Sequence, residues 1–449
     1  MDMDTNTTPI ITDCPSFAPS AAPRESLFQP LRAPGTVVGS SLRGKRVGMV
    51  VFSSYPADPR PRRAAEALLK EGMTVDLICL GDEKSPKRES IDGLTISRIP
   101  IQHHRGGKLS YAYQYSAFIL ASAVLFALRS LKRRYDLIYV HNMPDILVLS
   151  ALVPKALGAK VILDQHDPMP ELMMTIFNLK QTSSSVRLLG WLEKWSMARV
   201  HLVITVNIAC QRIFGSRSCP PEKVGVVMNA PDGEIFPFSA ARLDSSANHD
   251  PSKPFVMMYH GSLVERNGLD LAVDALARVR ATIPNAELRI CGRSTAFLEQ
   301  VMDTVQQKGL SDCVQYLGPK SLEKLVREIE LCDVGVIPNH RNAFTDINTP
   351  TRIFEYLALG KPVIAPSTPG IQDYFEADSL FFFESGNVED LAGNIEYVYS
   401  HPTQAIETAA RGQRVYLAHS WREERQTLVG LVSKLLNDRP GRSLSAQTR

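Results

Sequence analysis

The stretch TPTRIFEYLALGKPVIA, residues Thr349–Ala365, says more about the fold than any other part of the chain. It predicts a helix of about three turns followed by a buried strand. Thr349 suits the N-cap and Pro350 the first helical position. Gly360 suits the C′ position, and Pro362 prevents the helix from continuing. This succession of helix and strand is typical of an α/β protein.

Two charged residues stand near the start of the predicted helix. Arg352 lies in the first turn, where a cation opposes the helix macrodipole unless it helps the free N–H groups to hold an anion such as a diphosphate. Glu355 follows three residues later and shares the same face, so its carboxylate could accept hydrogen bonds from a ribose diol. The pair therefore indicates a nucleoside diphosphate site. The alternative is an exposed intrahelical ion pair of little energetic value.

Composition bounds the class of protein. A chain of 449 residues is too long for one ordinary core, so two or three domains are expected. Its 44% hydrophobic and 22% charged content is that of a globular protein, and a net charge of +3 gives no indication of nucleic-acid binding. The seven cysteines are scattered, odd in number and without CxxC spacing. This favours a reducing, cytoplasmic compartment over disulfides or a zinc site.

The two ends of the chain are predicted to lack a core. Residues 1–40 are polar and rich in Pro, Ser and Thr, without the basic and apolar regions of a signal peptide. We expect a disordered tail there and a loose tail over residues 437–449.

One apolar run, Ala117–Leu128, has two interpretations. It is about 12 residues long, short of the roughly 20 that span a bilayer. The favoured interpretation is a well-buried helix between two strands. The alternative is a helix in a membrane interface, with tyrosines at headgroup level and basic residues against anionic lipid. The flanking residues are Tyr111, Tyr113, Tyr115, Arg129, Lys132, Arg133 and Arg134.

Apolar runs alternate with helical patterns along two similar halves of the chain. Most runs are continuously apolar, as in parallel strands covered on both faces. The first series is predicted at Arg46–Ser53, Thr74–Leu80, Leu94–Ile101, Asp136–His141, Lys160–Asp167, His201–Asn207 and Val224–Asn229. The second is predicted at Phe255–Gly261, Ala286–Gly292, Val314–Gly318, Asp333–Asn339, Pro362–Ser367 and Ser379–Glu384.

The pattern predicts two doubly wound, Rossmann-like α/β domains, over residues 41–236 and 250–402, that face each other across a cleft. Helices over 403–436 are expected to cross back to the first domain. Ligands of such sheets bind beyond the carboxyl ends of the strands, and polar residues follow several predicted strands there. No GxGxxG or GxxxxGK[ST] motif is present, which disfavours a dehydrogenase or a P-loop protein.

Together these segments resemble the family-4 retaining glycosyltransferases of the GT-B fold. The resemblance rests on the late motif Pro350–Tyr356 (PTRIFEY), on GKPVIA after it, and on the early segment Asp164–Asp167 (DQHD). It covers roughly Arg46–His401 and is strongest for the subgroup with a Pro-x-Lys/Arg-x-Phe-Glu-Tyr motif.

The resemblance implies a role for each matching residue. Glu355 corresponds to the second glutamate of the family's E-x7-E motif, which contacts donor ribose hydroxyls. The first glutamate falls at Ile347 and is absent, so Asp346, Asn348 or backbone amides are the candidates to replace it. The family's phosphate-binding cations fall at Ser262 and Asn267. Since neither position carries a cation here, phosphate binding is expected to fall to Arg266, with support from Arg352.

His166 corresponds to the family histidine near the transferred sugar, and Asp167 would help to deprotonate the acceptor hydroxyl. Without the family context, a histidine at a strand end is more often a buried, hydrogen-bonded residue. The donor-binding residues expected from the resemblance are Gly261, Ser262, Arg266, Asn339, Arg352 and Glu355.

The implied activity is transfer of a sugar from a nucleoside diphosphate sugar to a hydroxyl acceptor, with retention at the anomeric carbon. No Asp-x-Asp follows a predicted strand, so neither a metal nor another cofactor is expected. The expected acceptor is a glycan or a lipid-linked hydroxyl in cell-surface polysaccharide or glycolipid synthesis. The expected location is cytoplasmic, with possible peripheral contact at the inner face of a membrane. The alternatives are a sugar-nucleotide 2-epimerase and an inactive nucleotide-sugar binding protein.

Overall fold

The computed structural model describes residues 42–81, 85–101, 108–242 and 253–437, without the side chains of 108–112. The N-terminal tail predicted over 1–40 lies outside the described residues. So does the predicted C-terminal tail apart from Asn437, which ends the last helix.

The first domain is built on an eight-stranded sheet of order β3-β4-β2-β1-β5-β6-β7-β8. Every pair in it is parallel except β3 with β4, which is antiparallel. The seven predicted strands are confirmed, although several end earlier than expected. β3 was missed. The strands are β1 Arg46–Ser54, β2 Thr74–Leu80, β3 Arg88–Ile91, β4 Leu94–Ile99, β5 Leu137–His141, β6 Lys160–Gln165, β7 Leu202–Thr205 and β8 Val224–Val226.

Helices cover both faces of this sheet, and each face has its own apolar core. They are α1 Pro59–Lys70, α2 Lys108–Lys132, α3 Leu152–Ala156, α4 Met169–Phe177, α5 Ser184–Ala198 and α6 Ile208–Arg217, with 3-10 helices at Asp145–Ala151 and Pro221–Lys223.

The second domain is built on a six-stranded parallel sheet of order β11-β10-β9-β12-β13-β14. All six of its strands were predicted. They are β9 Phe255–His260, β10 Ala286–Cys291, β11 Val314–Gly318, β12 Val334–Val336, β13 Val363–Pro366 and β14 Phe381–Phe383. Its helices are α7 Leu269–Val279, α8 Ala296–Gln307, α9 Leu322–Glu330, α10 Thr351–Ala358, α11 Pro369–Gln372 and α12 Val388–Ser400, with a 3-10 helix at Glu265–Asn267.

The strand order reverses once in each sheet. β1 lies between β2 and β5, and β9 lies between β10 and β12. In open parallel sheets this switch point leaves a crevice at the carboxyl ends of the strands, where ligands bind. The fold is therefore the predicted pair of doubly wound α/β domains.

Two long helices, α13 Pro402–Ala418 and α14 Trp421–Asn437, follow the second domain. α14 returns to the first domain, where it packs on α1 and buries Leu428, Leu431 and Val432 in the core. Glu424 accepts a hydrogen bond from the backbone N–H of Met228 at 2.8 Å, which fixes the start of this helix against the segment after β8.

The helix predicted at the start of the segment Thr349–Ala365 is shorter than expected and begins one residue later. α10 has eight residues, about two turns, with Pro350 rather than Thr349 at the N-cap. The Thr349 hydroxyl does not cap α10: it donates to the carbonyl of Gly370 at 2.7 Å and accepts from the Asn207 side chain at 3.2 Å. Gly360 has φ 74° and occupies the predicted C′ position.

The apolar run Ala117–Leu128 lies within α2, which is 25 residues long. Phe118 and Phe126 are fully buried against the sheet, but Leu120 and Leu131 are 68% and 73% exposed. The expected well-buried helix is therefore wrong for one face. Among the described residues α2 is one helix whose length and apolar composition would allow it to span a membrane, and only 28% of that window is buried.

Two glycines of the second domain, one in its core and one on its surface, allow a test of how tightly that core is packed. A Cβ on Gly335, in β12, would lie 2.4 Å from the Tyr356 ring, whereas one on Gly393, on the exposed face of α12, would meet open space. We expect Gly335→Ala to destabilise the protein by about 1–3 kcal/mol through overpacking. Gly393→Ala should stabilise it by about 0.5–1 kcal/mol through helix propensity. Thermal unfolding of both variants measures this, and equal melting temperatures would show that the packing is looser than described.

Candidate active site

The candidate site lies where the carboxyl edges of the two sheets face each other. Side-chain hydrogen bonds join the domains near this cleft: Thr175 donates to the Asn342 side chain at 2.9 Å, and Asn207 donates to the carbonyl of Ile347 at 2.8 Å. Charges also act across it. Arg63 lowers the pKa of Glu355, and Arg266 lowers that of Asp167, although burial outweighs both.

A buried ion pair underlies the first-domain side of the cleft. Arg60, in the first turn of α1, donates through Nε and Nη2 to Oδ1 of Asp164 in β6, at 2.9 and 2.5 Å. Its Nη1 donates to the carbonyl of Val227 at 3.0 Å and to the Asn229 side chain at 3.2 Å. Burial alone would raise the pKa of Asp164, but Arg60 holds it well below its usual range. Helix α1, strand β6 and the segment after β8 are thus fixed together.

The other carboxylate oxygen of Asp164 faces two histidines. Oδ2 accepts from the Tyr139 hydroxyl at 3.0 Å and lies 3.4 Å from Nδ1 of His141. His141 Nδ1 is also 3.0 Å from Nε2 of His166. The carboxylate favours a proton on His141 Nδ1, and the buried, unpartnered His141 Nε2 is less costly as an acceptor than as a donor. His166 Nε2 is then an acceptor, and its Nδ1 carries the proton.

Asn142 fixes the backbone on either side of the catalytic candidates. Its Oδ1 accepts from the backbone N–H of His166 at 2.8 Å, and its Nδ2 donates to the carbonyl of Asp167 at 3.0 Å. The same amide nitrogen donates to Asp145 at 3.1 Å and contacts Gln165. The positions of His166 and Asp167 are therefore set by a side chain from the neighbouring strand end.

The two predicted catalytic residues lie side by side in a partly water-excluded place. Burial lowers the pKa of His166 well below its usual value, although the Asp164 carboxylate opposes this, so the ring is neutral at physiological pH. Burial raises the pKa of Asp167 despite Arg266, which favours a carboxylate able to accept a proton.

Arg352 lies at the second-domain edge, above the end of β9. Its guanidinium donates to the carbonyl of His260 at 2.9 Å and to the Asn339 side chain at 3.0 Å, and it lies 4.8 Å from the centre of the Tyr259 ring. Gly261 has φ 117°, and a Cβ there would lie 3.2 Å from the Arg352 side chain. The structure therefore brings Gly261, Asn339 and Arg352, three of the predicted donor-binding residues, together.

Glu355 is held close to His260 rather than to Arg352. Its Oε2 lies 3.4 Å from Nε2 of His260. Burial raises the pKa of Glu355 to about 7, opposed by Arg352 and Arg63, and burial lowers the pKa of His260 to about 3. The alternative interpretation, an exposed ion pair, is wrong, because Glu355 has only 17% of its side chain exposed and no salt bridge to Arg352 is found among the described residues.

Arg266 lies in the 3-10 helix after β9, where its guanidinium is 5.8 Å from the Phe344 ring centre. Ser262 contributes its carbonyl, which accepts from the Tyr259 hydroxyl at 2.9 Å and from the Asn267 side chain at 2.8 Å. Arg266 is a second-domain cation whose positive charge lowers the pKa of Asp167, one of the two predicted catalytic residues.

Ile347, which stands where the family has the first glutamate of its E-x7-E motif, has a packing role in this structure. Ile347 packs against the apolar core of the first domain, so it helps to join the domains. Of the two possible substitutes, Asp346 forms an ion pair with Arg341 at 3.2 Å through Oδ2, while its Oδ1 is buried without a partner. A carboxylate oxygen thus remains unsatisfied one residue from the family position.

His141, Asp164 and His166 could in principle hold a metal, since their donor atoms lie within 4.8 Å of one another. Asp164 is already bonded through both oxygens, and the Arg60 guanidinium, 2.5 Å away, repels a cation. We interpret the trio as a hydrogen-bonded network that orients His166.

No role was predicted for Arg60, His141 or Asp164 from the sequence. The available signals were a charged residue within the apolar strand VILDQ and an arginine on the buried face of α1. Either signal indicates a buried charge, which needs a partner. The partner could not be identified because the ion pair joins residues 104 positions apart.

Comparison with known proteins agrees with this geometry. Residues 57–230 match the family model described as "Glycosyl transferase 4-like domain", and residues 242–414 match "Glycosyl transferases group 1". The amylovoran biosynthesis glycosyltransferase AmsK of Erwinia amylovora is 26% identical over 198 residues, 43% of this chain and 46% of that protein. The D-inositol 3-phosphate glycosyltransferase of Rhodococcus erythropolis is 25% identical over 223 residues, 47% and 48% of the two chains. The chain spans about half the length of the curated relatives it matches.

Two solved structures share the architecture. Sucrose-phosphate synthase from Thermosynechococcus elongatus superposes with a TM-score of 0.70 at 19% identity, over 87% of this chain and 99% of that one. Anabaena Alr3699/HepE, in complex with UDP and glucose, superposes with a TM-score of 0.64 at 16% identity, over 87% and 100%. At these identities the likeness shows the fold alone. The fold and the two family matches place this chain among the GT-B glycosyltransferases.

The raised pKa of Glu355 makes a prediction about stability. The folded chain holds the Glu355 proton up to about pH 7 and the unfolded chain only to about 4.5, so stability falls as pH rises between these values. Glu355→Gln removes this titration. We expect it to match the wild type near pH 4.5 and to be more stable by about 3 kcal/mol at pH 8.

Unfolding measured across this pH range tests the prediction, with the exposed Glu376→Gln as control. A Glu355→Gln advantage that is constant with pH would show that the carboxyl group does not titrate in this way.

Proposed function

We propose that this protein transfers a sugar from a nucleoside diphosphate sugar to a hydroxyl group of an acceptor, with retention at the anomeric carbon. The observation that carries the proposal is the convergence of Arg266, Arg352 and Glu355 on one side of the cleft, opposite His166 and Asp167. The complex of Anabaena Alr3699/HepE with UDP and glucose supports a nucleotide-sugar donor for a protein of this fold.

Each donor-side residue has a distinct task. The first N–H groups of α10 and the Arg266 guanidinium bind the diphosphate, as anions bind at helix N-termini. Arg352 braces the loops after β9 and β12 through the His260 carbonyl and Asn339, and it adds positive charge. Glu355 accepts hydrogen bonds from the ribose hydroxyls. The absence of a Cβ at Gly261 leaves room for the Arg352 side chain, since a Cβ there would lie 3.2 Å from it.

Catalysis requires stabilisation of the departing diphosphate, on which negative charge grows. Fixed cations and N–H groups provide it without reorganisation. His166, neutral and protonated at Nδ1, donates to a sugar hydroxyl, and Asp167 helps to accept the proton of the attacking acceptor hydroxyl. Attack occurs on the face that the diphosphate leaves, which retains the anomeric configuration. We propose that no metal takes part, since Arg266 and Arg352 supply the positive charge.

We propose an acceptor that is a glycan or a lipid-linked hydroxyl in cell-surface polysaccharide or glycolipid synthesis. The relative named for amylovoran biosynthesis supports this class. A cytoplasmic location is supported by the cysteines, because no disulfide is found among those that the structure describes.

The first test is nucleotide binding. Thermal shifts with UDP, GDP and ADP identify the base, because a ligand of the native state raises the melting temperature. With that nucleotide, Arg266→Gln should weaken diphosphate binding about tenfold, or about 1.4 kcal/mol, and leave binding of the bare nucleoside unchanged. Glu355→Gln should weaken both ligands. Arg327→Gln, on the exposed face of α9, is the matched control.

Wild-type affinity for the diphosphate in both Arg266→Gln and Arg352→Gln would remove these cations from the phosphate site. Wild-type affinity in Glu355→Gln would reject the ribose contact.

The second test is turnover of the identified donor. We expect a product with the anomeric configuration of the donor, seen by NMR, and the same rate with and without a chelator such as EDTA. An inverted product, or loss of the rate with EDTA and its recovery with a divalent ion, would contradict the mechanism. Epimerised donor formed without acceptor would indicate a 2-epimerase, and nucleotide binding without any turnover would indicate an inactive binding protein.

A further inference from the structure

Helix α2 exposes a row of large apolar side chains on the face opposite the core. Successive members are three, four or seven residues apart, so they lie on one side of the helix. They are Tyr113, Leu120, Val124, Leu128 and Leu131, with exposures of 74%, 68%, 48%, 57% and 73%. Helix α3, which packs against α2, adds Leu152 and Val153 at 39% and 44%. These seven residues form the α2 surface. Exposed apolar side chains clustered in this way mark an interaction site.

The inner face of α2 fixes how this surface can be used. Phe118 and Phe126 are fully buried, and Phe126 lies so close to β1 that a Cβ on Gly48 would be 2.7 Å from its ring. Although α2 is long and apolar enough to cross a bilayer, doing so would pull these rings out of the core. The helix can therefore only lie along a surface.

The charged side chains of helix α2 are all positive. No Asp or Glu occurs between Lys108 and Lys132. Lys132, Arg133 and Arg134, at the carboxyl end of α2, are exposed, and among the described side chains no carboxylate pairs with them within 4.0 Å. An apolar face beside unpaired cations complements an anionic lipid surface.

The orientation of α2 relates this surface to the cleft. The Tyr115 ring packs 4.6 Å from that of Phe52, near the carboxyl end of β1, whereas the basic end of α2 leads into the start of β5. The tyrosine end of α2 therefore lies at the edge of the sheet that carries His166.

We propose that the α2 surface docks the first domain flat on an anionic lipid bilayer. The apolar row enters the boundary between headgroups and acyl chains, and Lys132, Arg133 and Arg134 contact anionic headgroups. Taken with the proposed transferase activity, on which this step depends, docking brings the cleft to the membrane, where an acceptor hydroxyl carried on a lipid can reach it.

Sedimentation of the full chain with vesicles tests the proposal. Wild type should bind vesicles of phosphatidylcholine mixed with phosphatidylglycerol, and bind phosphatidylcholine alone at least tenfold more weakly. Leu120→Glu/Leu131→Glu should lose binding to both. Leu331→Glu/Leu417→Glu, which changes two exposed leucines of α9's end and α13, should bind as wild type.

A second pair of variants isolates the charge. Arg133→Gln/Arg134→Gln should reduce binding to anionic vesicles by about tenfold or more and remove most of its salt dependence. Lys324→Gln/Arg327→Gln, two exposed cations of α9, is the matched control and should leave binding unchanged.

The proposal is overturned if wild type does not sediment with anionic vesicles, or if Leu120→Glu/Leu131→Glu sediments equally well. It is also overturned if the wild type is a dimer that this variant converts to monomers, without vesicle binding by either, since a second copy would then cover the surface. Nucleotide-induced thermal shifts of the same variants keep the two proposals apart. If the protein bound vesicles but no nucleotide raised its melting temperature, the proposed transferase activity would be rejected and the proposed membrane docking would stand.

Discussion

The structure depends on one buried charge pair, Arg60 with Asp164. An ion pair this far from water is tolerated only when the remaining donors and acceptors of its own two side chains are hydrogen-bonded. Here Tyr139 and the carbonyl of Val227 complete the bonding. The pair joins the first helix, the strand that ends at the candidate catalytic residues, and the segment that leads toward the second domain. Removing either partner would leave an unpaired buried charge in the wall of the cleft. The packing of the first domain around the cleft therefore depends on this one ion pair.

The same pair sets the chemistry of the neighbouring histidine. Because Arg60 keeps Asp164 ionised, the carboxylate can hold the proton of His141 on Nδ1. That proton fixes His166 Nε2 as an acceptor and leaves the opposite nitrogen as a donor. A neutral histidine with a defined tautomer is then available without any metal. On the opposite side of the cleft, Glu355 is kept buried at a cost to stability, which is typical of groups retained for binding.

Much of the fold could be predicted from sequence because parallel strands covered on both faces are continuous apolar runs. β3 was missed since its sequence, RESI, is short and polar, as an antiparallel edge strand can be. The start of α10 was misplaced by one residue because Thr349 bonds Gly370 instead of capping. Asn339 and Gly261 could be predicted to lie near each other because both follow strands of one parallel sheet, and the carboxyl ends of those strands meet at one edge. Side chains that pair over long sequence separations, as Arg60 does, carry no such positional signal.

Helix α2 shows why periodicity fails for a helix that is apolar all around. A fully buried helix and a helix that lies between a core and a lipid surface can have the same apolar composition. The sequence therefore does not show which face of such a helix is buried. The structure shows which face is which: Phe118 and Phe126 are buried against the sheet, and Leu120 and Leu131 are exposed. In a protein that met only water, the outward positions would be expected to carry polar side chains. The exposed cations Lys132, Arg133 and Arg134 beside this face complement the anionic headgroups of a lipid surface.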